Sequence, residues 1–197
     1  ARMLLDGSES FVKPSALAMM PCPRRRFTHE RILPDGNTII SHEELRYWIE
    51  PGAEGRTPMK SALEHALALT SKWCRREGKR SSYPPTIFNI TDGEASDGDP
   101  ESLCDIAGSI KSLATDDGNA LLINIDISAN ATDRTIVFPG SKSDLPPTRH
   151  VDMLYDMASE MPAEYNDNIM RMKPGSRPPY RGMSLNTSAA DLIAMMN

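Results

Sequence analysis

The chain has 197 residues, 39% hydrophobic and 25% charged, with a formal net charge of −5. That length accommodates a domain with a sizeable core, and the composition excludes a disordered chain. An acidic balance argues against nucleic acid as the main partner, and no stretch reaches the roughly 18 apolar residues of a membrane span.

In chain order, Ala1-Arg2-Met3-Leu4-Leu5 is a thin strand candidate ahead of Asp6-Gly7-Ser8-Glu9-Ser10. Pro14, Pro21 and Pro23 would break a long helix over 11–26. Residues 24–50 are expected to form a hairpin. Its turn is Pro34-Asp35-Gly36-Asn37, where Pro fixes φ and Gly accepts positive φ. The clearest helix is expected over 58–77: Met59, Leu63, Ala66, Leu67, Thr70 and Trp73 recur at spacings of three and four. Thr57 takes the N-cap place and Pro58 the first helical position.

The apolar run at 86–91 is expected as a strand. It ends in a loop holding Asp92, Glu94, Asp97 and Asp99. Pro100 opens a second helix over 100–115, which Asp116-Asp117-Gly118-Asn119 is expected to break. A buried strand is expected over 120–127, a short strand over 135–138, a helix over 148–161, a last strand at 183–185 and a terminal helix from 189. The alternation of helices and strands implies an α/β fold with a mostly parallel sheet. Ligands of such sheets bind beyond the carboxyl ends of strands, where the loops after Thr91 and Ile127 lie. Because the chain begins with Ala and stops within an apparent helix, a fragment is expected.

Four carboxylates at the mouth of a strand need compensation by a cation or a helix N-terminus. Asp99, just before Pro100, reads as the cap of the second helix. Glu94, Ser96 and Asp97 read as loop surface. The short basic clusters Arg24-Arg25-Arg26 and Arg75-Arg76 read as solvated surface. The scattered His29, His42, His65 and His150 read as structural or surface residues. Cys22, Cys74 and Cys104 form no C-x-x-C pair, which argues against zinc, and their odd number suits a reducing, cytoplasmic setting. Cys74 and Cys104 fall on apolar helix faces and read as core.

Two segments carry a resemblance. Gly55-Arg56-Thr57-Pro58-Met59 before an amphipathic helix, and Thr91-Asp92-Gly93-Glu94 at a strand end, resemble the von Willebrand factor A (vWA) domain, in its intracellular bacterial type. The likeness runs from about Trp48 to Ile127. It implies a single Rossmann-like vWA domain over 1–197, with a hairpin insertion near 24–50. It also implies a metal-ion-dependent adhesion site in which Thr57 and Asp92 help hold Mg²⁺ or Mn²⁺. The partner implied is another protein, whose acidic side chain completes the coordination. A threonine hydroxyl and a carboxylate are the hard oxygen donors that such ions prefer.

The family's third motif, D-x-S-x-S, has two readings. Asp6, Ser8 and Ser10 match its letters, but the thin strand before them and the prolines after them favour a true motif upstream of Ala1. Three functions remain open: a metal-dependent binding module without catalysis, a metal-dependent phosphohydrolase or nucleotide-binding enzyme, and a metal-free binding domain. Neither G-x-x-x-x-G-K-[ST] nor G-x-G-x-x-G occurs, and Arg56 is the only cation beside Thr57 in sequence, which weighs against phosphate chemistry.

Overall fold

The computed structural model describes residues 2–3, 14–19, 24–32, 37–46, 49–50, 55–76, 78–127, 134–187 and 195. The chain forms two compact units, residues 1–55 and 56–197.

In the first unit, β1 (Arg2–Met3) pairs antiparallel with β4 (Ile49–Glu50). The helix α1 (Pro14–Met19) starts on a proline, whose fixed φ suits a first turn. The expected hairpin is present: β2 (Arg24–Ile32) pairs antiparallel with β3 (Thr38–Arg46). Arg24 and Arg26 both approach Glu44, at 3.7 and 3.8 Å. These pairs offset the like charges of Arg24 and Arg46, which stand opposite each other. Pro34, Asp35 and Gly36 of the expected turn lie outside the described residues. So do Asp6, Ser8 and Ser10. Arg2–Met3, the strand piece before Asp6, belongs to a two-stranded sheet.

The second unit is a mixed α/β structure. A four-stranded sheet has the order β5 (Thr86–Thr91), β8 (Leu121–Asp126), β10 (Met183–Leu185), β9 (Ile136–Val137). The first three strands are parallel, and β9 joins antiparallel. All six residues of β8 are buried, as its nearly continuous apolar run implies for a strand covered on both faces. Its side chains alternate between two clusters. On one face Leu122 packs with Leu63 of α2 (Met59–Cys74), Leu103 and Ile110 of α3 (Pro100–Lys111), and Leu154 of α4 (Arg149–Met157). On the other, Ile123 and Ile125 pack with Phe138, Tyr180 and Ile169 of α5 (Asn166–Met172). The edge strand β5 is only partly covered, and Ile90 is 46% exposed.

Several boundaries differ from expectation for local reasons. Pro58 keeps a non-helical ψ of 63°, so α2 begins at Met59. The helix α3 ends at Lys111, before the expected break. Residues 116–117 instead turn a small hairpin of β6 (Ala114–Thr115) and β7 (Gly118–Asn119), from which the Asn119 side chain donates to the Lys111 carbonyl at 2.9 Å. The helix α4 stops at Met157 because Ala158 turns extended. Ser159 then binds β8 through both its amide and its hydroxyl, at 2.8 and 2.9 Å from Leu122. The helix α5 has no counterpart among the expected elements. The expected terminal helix lies outside the described residues apart from Met195, which is helical. Cys74 and Cys104 are free thiols, each half-buried. Among the described residues no helix is long and apolar enough to cross a membrane.

Candidate functional site

The parallel strands β5 and β8 end side by side, with Thr91 opposite Asp126. The acidic loop 92–99 leaves from this edge. Thr91 starts it: the hydroxyl donates to the Gly93 carbonyl at 2.8 Å and accepts from the Gly93 amide at 3.2 Å, a local turn typical of such residues.

The four acids of the loop then divide by what they touch. The Asp99 carboxylate accepts from the Ser102 amide at 2.8 Å, so it caps α3, as its place before Pro100 implies. Asp97 does something its position in the sequence does not suggest. Its carboxylate accepts from the amides of Lys60 and Ser61, both at 2.9 Å, and from the Ser61 hydroxyl at 2.8 Å. These are the second- and third-position amides of α2 that a local cap would satisfy. The cap position is Pro58, which has no side-chain donor or acceptor, and Thr57 stands one residue too early. The expectation of a Thr57 cap with Pro58 at the first helical position is therefore corrected. The expectation of Asp97 as loop surface is corrected as well: an acid 36 residues downstream of Ser61 caps the helix in trans.

The same clasp joins the two resembling segments. The Thr57 carbonyl accepts from the amides of Met59 and Ser96, both at 2.9 Å, so Ser96 also has a structural role. Gly98 permits the approach: a Cβ there would stand 3.1 Å from the Lys60 Cβ. The Ser61 amide, then that of Lys60, holds the Asp97 carboxyl below the usual carboxylate range, and the Ser102 amide does the same for Asp99.

A lowered carboxylate pKa stabilises the fold above the unfolded value of about 3.9, and the contribution is lost as pH falls through the folded value. Asp97→Ala is therefore expected to lower the melting temperature at pH 7 and to lower it less at pH 3. Circular dichroism melts at the two pH values check this. An equal deficit at both would mean that the carboxylate's charge is not what holds α2.

Asp92 and Glu94 are left. Both are exposed, and neither has a hydrogen bond or ion pair among the described residues. Thr57 is half-buried, and its hydroxyl likewise has no partner there. The structure thus joins the Thr57 segment to the loop that holds Asp92, and among the described residues neither side chain has a partner. Their hydroxyl and carboxylate suit a hard divalent ion that retains several waters. Among the described residues no group of three or more His, Cys, Asp or Glu could hold a metal ion, so carboxylate and imidazole alone do not complete a site.

Beyond Glu94 lies a cleft of about 260 Å³, lined by Glu94, Ala95, Asp99, Pro100, Arg149, His150 and Met153, with Gly98 at its edge. His150 belongs to the first turn of α4, which Thr148 caps by accepting from the Val151 amide at 3.2 Å. Its Nε2 lies 3.3 Å from Asp126 Oδ2, with the two side chains 11% and 6% exposed. That is ion-pair reach, yet neither ring nitrogen has a hydrogen-bond partner among the described residues. An unpaired buried polar atom costs about 1–3 kcal/mol. Sequence reasoning misses this pair because no motif or spacing links Asp126 to His150. The one available signal is an acid closing an apolar strand, as Asp92 also does.

No protein-family model, curated protein or solved structure matches the chain.

Proposed function

We infer that the second unit is a protein-binding module of vWA type, acting through a divalent cation held by Thr57 and Asp92. The observation that supports this reading is the clasp between 57–61 and 96–97, which joins the Thr57 segment to the loop that follows β5, with neither the Thr57 hydroxyl nor the Asp92 carboxylate partnered among the described residues. Asp97 and Asp99 are consumed by helix starts, so Asp92 and Glu94 are the acids of the loop without a partner among the described residues, and Asp92 is the one that the resemblance makes a ligand. Two protein oxygens are few for Mg²⁺ or Mn²⁺. Water and the partner's carboxylate are the further donors.

The chain's own contribution is positional. Asp97 and Asp99 tie the far end of loop 92–99 to the starts of α2 and α3, and the Thr91 hydroxyl turns its near end at Gly93. A bound cation would supply the charge that attracts a partner's acidic side chain. A metal-free binding domain is the second reading, favoured by the small number of described ligands.

The test uses Mn²⁺ alone on the whole chain. Paramagnetic broadening is expected at amides of 55–61 and 91–96, with its loss in Asp92→Ala while the circular dichroism spectrum is unchanged. Capture of a partner should then be abolished by EDTA and by the same substitution. Undiminished broadening in Asp92→Ala, or broadening centred elsewhere, would overturn the assignment. EDTA-insensitive capture would establish the metal-free reading.

A further inference from the structure

The sheet of the second unit has two edges, and they differ. At one edge β9 has only two residues, and so short a strand offers little to pair with. At the other, β5 has six, and among the described residues only β8 pairs with it. The Leu121 amide donates to the Pro85 carbonyl at 3.0 Å and the Ile127 amide to the Thr91 carbonyl at 2.9 Å, so the odd-numbered residues of β5 face β8. Strand alternation therefore turns the backbone N–H and C=O of Thr86, Phe88 and Ile90 to the open edge, where no described group meets them.

Edge strands are commonly guarded by charge, by proline or by a bulge. The β2–β3 hairpin is guarded by charge: Arg24, Arg25 and Arg26 lie on one strand, Glu43, Glu44 and Arg46 on the other. β5 has no such guard. Thr86-Ile87-Phe88-Asn89-Ile90-Thr91 carries no charge and no proline, and its register with β8 runs residue for residue, without a bulge. Thr86 and Ile90 are exposed, and Ile90 shares a face of the sheet with the half-buried Phe88. An uncharged, apolar edge of this kind is a template for a further strand.

The charges at the two ends of β5 select that strand. The chain enters past Lys79 and Arg80 and leaves past Asp92 and Glu94. Asp116 offsets Arg80 at 2.9 Å, whereas Lys79, over the Trp73 ring, has no acidic partner among the described residues. Asp92 and Glu94 have no basic partner there either. A second copy of this chain, run antiparallel, sets its basic end beside the acidic end of the first, and the reverse holds at the other end. A parallel copy would set like ends together. We propose that two copies of this chain pair through β5, antiparallel about a two-fold axis at Phe88, and join their sheets into one. Thr86 of each copy then stands opposite Ile90 of the other, and Phe88 opposite Phe88, so the open-edge groups of all three satisfy one another. The ladder ends at Ile90, short of Asp92, so the pairing is independent of any cation.

The experiment is sedimentation velocity on the whole chain in EDTA, from about 1 μM to about 1 mM, a range that suits a small strand-mediated interface. A monomer–dimer equilibrium is expected, with no larger species, because a two-fold contact closes on itself. Amide exchange at Thr86, Phe88 and Ile90 should slow as concentration rises, while that at Ile87 and Asn89, which face β8, should not. Ile90→Lys should weaken the dimer about tenfold or more by putting a charge on the edge, and should leave the melting temperature of dilute protein unchanged. Thr86→Lys, at the exposed start of the strand, should weaken it similarly and serves if Ile90→Lys fails to fold. A monomer at every concentration would overturn the proposal. So would a dimer indifferent to the lysine variants, exchange at the three amides that ignores concentration, or growth into larger oligomers. Since EDTA is present throughout, none of these outcomes bears on the Mn²⁺ result.

Discussion

Asn124→Asp is expected to destabilise the second unit by on the order of 3–5 kcal/mol at neutral pH, although it alters a single terminal group. Asn124 is fully buried in the middle of β8. Its Oδ1 accepts from Asn89 Nδ2 at 2.9 Å, and its Nδ2 donates to the Leu154 carbonyl at 2.7 Å. This side chain therefore joins β5, β8 and α4. Aspartate keeps the shape and the bond from Asn89. It replaces the donor facing Leu154 with a second acceptor and puts a charge into an apolar layer.

Burial raises the folded-state pKa of such a carboxyl above its unfolded value of about 3.9. The penalty is small below about pH 4, where the group is protonated in both states and its O–H can donate to Leu154. It grows as pH rises and levels off once the folded form ionises. Urea unfolding of Asn124→Asp and Asn124→Ala at pH 4 and pH 7 separates the causes. The aspartate deficit should shrink in acid. The alanine deficit, about 2–4 kcal/mol from a cavity and two orphaned partners, should not. An aspartate deficit that ignores pH would defeat the charge argument.

Leu103→Ala should cost about 2–5 kcal/mol, since Leu103 is fully buried and its neighbours on α2, α4 and β8 are fixed by their own backbones. It lies in the first turn of α3, one residue after the Ser102 amide that Asp99 caps. Loss of its packing is therefore expected to loosen loop 92–99 before the sheet. Amide exchange should quicken at Ser96 and Ser102 more than at Ile123 or Ile125. Uniform quickening across all four would show that α3 and the sheet open as one unit.

The local elements were legible in the sequence because their causes are local. Strand 86–91 was set by its β-branched run, and strand 183–185 was also expected. The start of α3 was set by Asp99 and Pro100, and the β2–β3 hairpin by the turn signal between its strands. The mixed α/β class with a mostly parallel sheet came from their alternation. Helix ends were less legible. The helix α4 ends at Met157, where Ser159 binds β8, and α3 ends at Lys111, whose carbonyl accepts from Asn119; neither contact is a property of the helix's own residues.

The sequence by itself determined that four acids crowd the mouth of one strand and that Asp99 caps the helix that follows. Only the tertiary structure decided the allocation. Asp97 reaches α2 across 36 residues of chain, and His150 meets Asp126 from the first turn of α4. The reason is physical. A cap made by a side chain's own neighbours is written in spacing, whereas a carboxylate near the strand end binds whichever amides or imidazole the packing of α2 and α4 brings within about 3 Å.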